Sequence, residues 1–190
     1  MAAQRILHVS QPVTEGVAVV LADLAEFQQA NGWEVHVACP PGGWLGERLV
    51  GTGITVHSWE ASRSPGAGSL NEARELMAVV RRLRPDVVHL HSSKAGLAGR
   101  LALRGKVATV FQPHSWSFHA VGGVVALLSA GWERVAMRWT DLVVAVSGEE
   151  LDEGVQRGID PRRTVVAPNG VDVLRFMPGD RAAARARLGL

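Results

Sequence analysis

Short unbroken apolar runs alternate along this chain with stretches in which apolar residues recur every third or fourth position. The first rhythm belongs to buried strands, the second to helices with one covered face. Ile6–Ser10 reads as a strand, and Val17, Val20, Leu21, Leu24 and Phe27 form the stripe of a helix that Asn31-Gly32 brings to a stop. Trp33–Cys39 is a second strand, closed by Pro40-Pro41-Gly42-Gly43, which can continue neither kind of element. A short helix over Trp44–Val50 leads into a third strand, Ile54–Ser58.

Residues 60–69 are rich in Ser, Pro and Gly and read as a surface loop, the segment expected to be most mobile. Ser69 and Glu72 have capping-box spacing at the head of a helix whose stripe is Leu70, Ala73, Leu76, Met77, Val80 and Leu83. Pro85 bars that helix from continuing, and Val87, Val88 and Leu90 suit a central strand. That strand empties into Ser92, Ser93, Lys94 and Gly96, a polar edge with free backbone amides. Gly96, Ala98, Gly99 and Ala102 then make a helix narrow enough to sit tightly on a sheet.

Val107–Phe111 is a fifth strand, ending in a second polar edge, Gln112-Pro113-His114-Ser115. A helix over Gly123–Trp139, a strand over Leu142–Val146, a helix opened by a Ser147/Glu150 capping box and stopped at Gly158, and a strand over Thr164–Ala167 follow. Such alternation predicts an α/β protein: a Rossmann-like parallel sheet of about seven strands with helices on both faces. In open sheets of this kind ligands bind at the carboxyl ends of the strands. Beyond Asp172 the rhythm is lost; Pro178 breaks it, and Asp180 is placed to cap one more helix.

Composition narrows the classes of function. With 190 residues, 47% of them hydrophobic and 20% charged, the chain can build one substantial core. A net charge of +2 does not suit a polyelectrolyte binder of nucleic acid. The lone cysteine, Cys39, rules out an internal disulfide and fits a reducing compartment. Ile6–Ser10 is too short for the core of a signal peptide, and the longest apolar run, residues 120–132, is broken by Gly and Ser and too short to span a bilayer. A soluble, cytoplasmic protein is therefore expected. Trp116, Phe118, Trp132 and Trp139 would suit a membrane interface as well as a core, which keeps peripheral contact with the inner membrane surface open.

Candidate chemistry gathers at the strand ends. Gly16, between the first strand and first helix, either makes a tight turn or lets a phosphate approach helix amides. The three-glycine dinucleotide fingerprint is absent, and so is a Gly-x-Ser-x-Gly elbow. His89 and His91, two apart on one strand, face the same side, one geometry for a metal pair. A third ligand is not evident: Cys39 and His36 lie on another strand, so no metal is expected and His89 reads as a hydrogen-bonded core residue. His91 is the better candidate for ligand contact. His114 would stand beside it if their strands are neighbours, either as a ligand group or as a histidine capping its own turn.

Pro168-Asn169-Gly170-Val171-Asp172, followed by Phe176 and Pro178, resembles the segment joining the two halves of family-4 glycosyltransferases of the GT-B type. The Gly16 loop, Asp86-Val87-Val88-His89-Leu90-His91, Gly99-Arg100, His114 and the stretch from Asp141 to Ser147 agree with the family in order, so the resemblance runs from about Ile6 to Leu190. It implies the N-terminal half of a GT-B fold over residues 1–171. Residues 172–190 would be the interdomain linker and the start of a nucleotide-sugar domain, with Asn169, Gly170 and Asp172 at the hinge. The activity implied is transfer of a sugar from a nucleoside diphosphate sugar to a hydroxyl of a sugar- or lipid-linked acceptor, with retention at the anomeric carbon and no metal or other cofactor. Gly16 would approach the donor phosphates, His114 would contact the donor sugar near the reaction centre, and Gln11, His91, Ser92 and Lys94 would line the acceptor side.

Two departures accompany the resemblance. The family commonly has two adjacent glycines where this chain has Glu15-Gly16. The family's donor-binding Arg, Lys and glutamates belong to its second domain, which begins where this sequence ends, so such a domain is expected in cis or in trans and the chain alone is expected to be inactive. An exposed crevice without that domain is compatible with self-association. A non-hydrolysing sugar-nucleotide epimerase shares the architecture. A non-catalytic sugar- or membrane-surface-binding module would keep the shape alone.

Overall fold

The computed structural model describes residues 3–62, 66, 68–174 and 176–190. Its elements follow the predicted order: β1 (Arg5–Ser10), α1 (Glu15–Ala30), β2 (Glu34–Cys39), α2 (Trp44–Arg48), β3 (Thr55–Ser58), α3 (Ser69–Leu83) and β4 (Val87–His91). Then come α4 (Ser92–Leu103), β5 (Ala108–Gln112), α5 (Gly123–Ala136), β6 (Leu142–Ala145), α6 (Gly148–Gln156), β7 (Thr164–Val166) and α7 (Arg181–Arg187). All strand pairs are parallel, in the order β3-β2-β1-β4-β5-β6-β7. The winding reverses between β1 and β4, the switch point at which such sheets open a crevice at their carboxyl edge.

The two sheet faces differ in chemistry. Leu7 and Val9 of β1, Val88 and Leu90 of β4, Phe111 of β5 and Val143 of β6 form a face, apolar but for Thr109, that meets Leu76, Val79 and Val80 of α3 and Ala95, Ala98 and Leu103 of α4. On the other face Ile6, Val35, Val37 and Cys39 pack against Ala18, Leu21, Ala22 and Ala25 of α1 and Leu45 and Leu49 near α2. Strand alternation also puts His8, Ser10, His89, His91 and Gln112 on this second face, all of them buried.

Glycines let α4 lie close on the apolar face, as its composition predicts. A Cβ at Gly96 would come within 2.4 Å of the Phe111 ring, and one at Gly99 would meet three Leu90 side-chain atoms at 2.4–3.1 Å. Leu90 is fully buried and has nowhere to retreat. Gly99→Ala is therefore expected to cost about 1–3 kcal/mol despite alanine's higher helix propensity. Urea unfolding checks this, and an unchanged midpoint would contradict it.

Several expectations need correction. The α1 stripe is rotated from the one the periodicity suggests: Leu21 is buried, but Phe27 is 67% exposed, and the covered positions are the small residues that bring the helix near the sheet. Leu70 likewise faces outward. Ser69 and Glu72 do not form a capping box; Ser69 Oγ accepts from the Gly66 amide and from Lys94 Nζ, and Glu72 turns to Lys94 and Ser62. Trp116 and Phe118 are 1% and 5% exposed and belong to the core, so they offer no membrane contact. Nearby, the outward apolar side chains are instead those of Val124, Val125, Leu127 and Leu128 at the start of α5. In the loop expected to be mobile, residues 63–65 and 67 lie outside the described residues. Among the described residues, no helix is long and apolar enough to cross a membrane. Asp180 caps α7 as expected, its Oδ1 accepting from the Ala183 amide at 3.0 Å.

Candidate active site

A cleft of about 390 Å³ opens at the carboxyl edge of the sheet, lined by Gly16 and Val17 of α1, His114 and Ser115 after β5, Val146, Ser147 and Glu150 around the start of α6, and Asn169 after β7. The structure thus brings Gly16, His114 and Asn169 together. Glu15 takes φ 64°, a left-handed conformation that glycine enters without steric cost, and a Cβ at Gly16 would have open space around it. The first amides of α1 are bare, since Thr14 makes no side-chain cap. They carry the helix's partial positive charge. Glu15, Glu149 and Glu153 give the surroundings carboxylates as well.

His114 and Ser115 both have positive φ, at 52° and 105°. Such a turn by two non-glycine residues is held from outside. Glu150 supplies the hold: one carboxylate oxygen accepts from the Ser115 amide at 2.7 Å and the other from the Val146 amide at 2.7 Å. One arm of the predicted capping box is present, because Ser147 Oγ accepts from the Glu150 amide, while the Glu150 carboxylate reaches the Val146 amide in place of that of Ser147. The Glu150 carbonyl accepts from Trp116 Nε1 at 2.7 Å. One residue therefore ties the β5 and β6 edges together.

His114 stands beside His91, Nε2 to Nδ1 at 3.2 Å, on the shared rim that neighbouring β4 and β5 create. His91 Nε2 meets His8 Nδ1 at 3.0 Å, and His8 Nε2 donates to Gln28 Oε1 at 2.7 Å. Burial lowers His114 and His8 to about 4 and holds His89 and His91 well below the ordinary histidine value, with neighbouring rings adding to it. All four imidazoles are thus neutral near pH 7.

Lys94 occupies a different place from the one expected on the acceptor side. It is 4% exposed, its ammonium 2.6 Å from Glu72 and 3.1 Å from Ser69 Oγ, so it ties α4 to α3 instead of facing the rim. Burial pushes the Glu72 carboxyl up, but hydrogen bonds from Lys94 and Ser62 outweigh it and leave the group below its ordinary value. Ser92 opens α4 with φ 78°, directly after His91 and with no loop between. Gln11 stands half-buried at the end of β1. Gly170 and Asp172 are exposed and border a second, larger groove of about 820 Å³. Val20, Leu24, Phe27, Gln28, His89 and Gln112 line this groove, which has neither the α1 amides nor His114.

Sequence reasoning missed His8, Gln28 and the bridging role of Glu150. Parity along β1 would have found His8, which falls between Ile6 and Ser10 on the face that also carries His89. Cys39 and His36, the third ligands considered, stand on β2 instead. Burial pushes the Cys39 thiol up to about 11, and His36 binds His57 and Glu34.

The model of Glycosyltransferase Family 4 matches residues 14–175. The chain is 26% identical over 182 residues to the Escherichia coli UDP-Gal:alpha-D-GlcNAc-diphosphoundecaprenol alpha-1,3-galactosyltransferase, an alignment covering 92% of this chain and 46% of that enzyme. Among solved structures, Anabaena Alr3699/HepE in complex with UDP and glucose superposes with a TM-score of 0.76 at 20% identity, over 98% of this chain and 50% of that one. A UDP-N-acetylglucosamine 2-epimerase superposes less well, with a TM-score of 0.61 at 16% identity over 88% of this chain and 48% of that one. The chain spans about half the length of the Escherichia coli relative. Its parallel sheet, its strand order and the family match over most of its length lead to one assignment: the chain belongs to glycosyltransferase family 4, with the Rossmann-like N-terminal half of a GT-B fold.

Proposed function

We propose that this chain is the acceptor-side domain of a retaining glycosyltransferase that moves a sugar from a nucleoside diphosphate sugar to the hydroxyl of a sugar- or lipid-linked acceptor. The observation that carries this reading is the single cleft in which the bare amino end of α1 at Gly16 faces the same space as His114. Donor phosphates approach the α1 amides, where helix charge favours an anion. His114, neutral at working pH, hydrogen-bonds the donor sugar as a positioning group and need not accept a proton. The departing phosphate takes the acceptor's proton, and positioned dipoles stabilise the developing charge, which gives the transfer a route that does not call on a metal. The acceptor approaches from the switch point, past Gln11 and Ser92. The exposed valines and leucines of α5 support contact with a membrane that carries a lipid-linked acceptor.

The test uses this chain joined to a nucleotide-sugar domain, in cis or in trans, with nucleotide sugars and diphospholipid-linked saccharides as substrates. The expected result is acceptor-dependent transfer with retention, while the 190-residue chain alone gives no multiple turnovers. His114→Ala is expected to lower kcat about tenfold, the loss of one hydrogen bond, with KM for the acceptor unchanged. Conversion of a sugar nucleotide to its epimer without any acceptor would overturn the transferase reading in favour of the epimerase. Turnover by the isolated chain would overturn the requirement for a second domain.

A further inference from the structure

We propose that His8, His89 and His91 form a site for Zn²⁺ or a similar imidazole-binding divalent ion, set in the polar face of the sheet beneath the larger groove. The β1–β4 register pairs His8 with His89 and Ser10 with His91, and strand alternation turns all three imidazoles to one side. One ring nitrogen from each lies within 4.8 Å of the others, and His8 Nδ1 and His91 Nε2 are 3.0 Å apart, near the separation of two ligands on one ion. His89 Nε2 is buried with no hydrogen-bond partner, an unusual state for a polar atom that a metal would relieve.

The outer nitrogens of His8 and His91 are arranged as in metal sites, where a histidine uses its other nitrogen to fix its orientation. His8 Nε2 donates to Gln28 Oε1 and His91 Nδ1 meets His114 Nε2, while His89 shares the groove lining with Gln112. All three rings are neutral, the form that ligates, and no carboxylate is among the three, so imidazole-preferring ions suit the site better than Mg²⁺ or Ca²⁺. His89, Gln28 and Gln112 line the larger groove, which gives the ion an entry and a fourth position for water.

Without an ion, Gln28 Oε1 keeps the His8 proton on Nε2, so His91 Nε2–H donates to His8 Nδ1 and His114 Nε2–H donates to His91 Nδ1. With the ion bound, His91 carries its proton on Nδ1 and donates to His114 Nε2, and His114 carries its own on Nδ1. Each ring keeps one proton, and none is released. Occupancy therefore reverses the polarity of His114 at the cleft, a consequence that rests on the transferase reading, whereas the site itself does not.

The experiment is titration of the chelator-treated 190-residue chain with Zn²⁺ by calorimetry and with Co²⁺ by visible absorbance. One equivalent of Zn²⁺ and a tetrahedral Co²⁺ spectrum are expected. His8→Gln and His89→Gln are each expected to weaken binding at least tenfold, and Gln28→Met about 10–100-fold. His57→Gln, which disturbs only the separate contacts of His57 with His36 and Arg82, should leave it unchanged. His89 borders the groove, so its variant serves even if His8→Gln fails to fold. Imidazole ¹⁵N shifts of His8, His89 and His91 should move together with one equivalent of Zn²⁺. No saturable binding, binding lost in His57→Gln but kept in His89→Gln, or unmoved ¹⁵N shifts would each overturn the site.

Discussion

Glu133→Ala is expected to destabilise the chain by about 3–5 kcal/mol, because it leaves a buried guanidinium without its counter-charge. Arg100 and Glu133 are 0% and 1% exposed, and Arg100 Nη2 lies 2.6 Å from Glu133 Oε2. The pair spans three elements: Arg100 Nε donates to the Gly96 carbonyl within α4, Ser117 Oγ donates to Glu133 Oε1, and the guanidinium lies 3.9 Å over the Phe111 ring. Arginine cannot escape by giving up its proton, so the desolvation cost stays when the carboxylate goes. The double variant Arg100→Met/Glu133→Leu removes both charges and should recover most of the loss. Thermal unfolding checks both, at about 2–4 °C per kcal/mol for a chain of this length. A Glu133→Ala loss below about 1 kcal/mol would mean that water reaches the pair.

The strands and helices were legible because each apolar run is bounded by Pro, Gly or a cap, and parallel strands buried on both faces leave continuous runs. Helix faces were less legible. In α1 the residues against the sheet are mostly alanines, while Val20, Leu24 and Phe27 line an open groove, so a stripe chosen by side-chain size points the wrong way. In α3 the spacing of Ser69 and Glu72 fits a capping box, yet a buried ammonium from α4 claims both side chains. A cation that arrives from a distant element is invisible to local spacing. The Gly16–His114 cleft was readable in part, since strand ends with small and polar residues mark the carboxyl edge of the sheet. Parity along β1 puts His8 on the polar face, but which histidines it meets there depends on β1 lying next to β4, a fact of strand order and not of spacing.

Glu150→Gln is expected to lower stability by about 2–3 kcal/mol and, once a nucleotide-sugar domain is supplied, to lower transfer by up to about tenfold, the loss expected of His114→Ala itself. The carboxylate is 6% exposed and gives one oxygen to each of two backbone amides, Ser115 and Val146. A carboxamide has one oxygen, so its NH₂ group must face one of those N–H groups, donor against donor. Ser115 is the more sensitive of the two, because it and His114 sit at φ 105° and 52°, where side-chain-bearing residues stay only under restraint. Releasing the amide lets the turn relax toward ordinary backbone angles and carries the His114 ring off its 3.2 Å contact with His91. A displacement of about 1 Å suffices for the rate loss. Since Glu150 acts through His114, the signature is a fall in kcat with acceptor KM unchanged, and adding His114→Ala to Glu150→Gln should cost almost nothing further. Fully additive losses would show that Glu150 serves the cleft by another route, for which its bonds to Ser115 and Val146 give no reason.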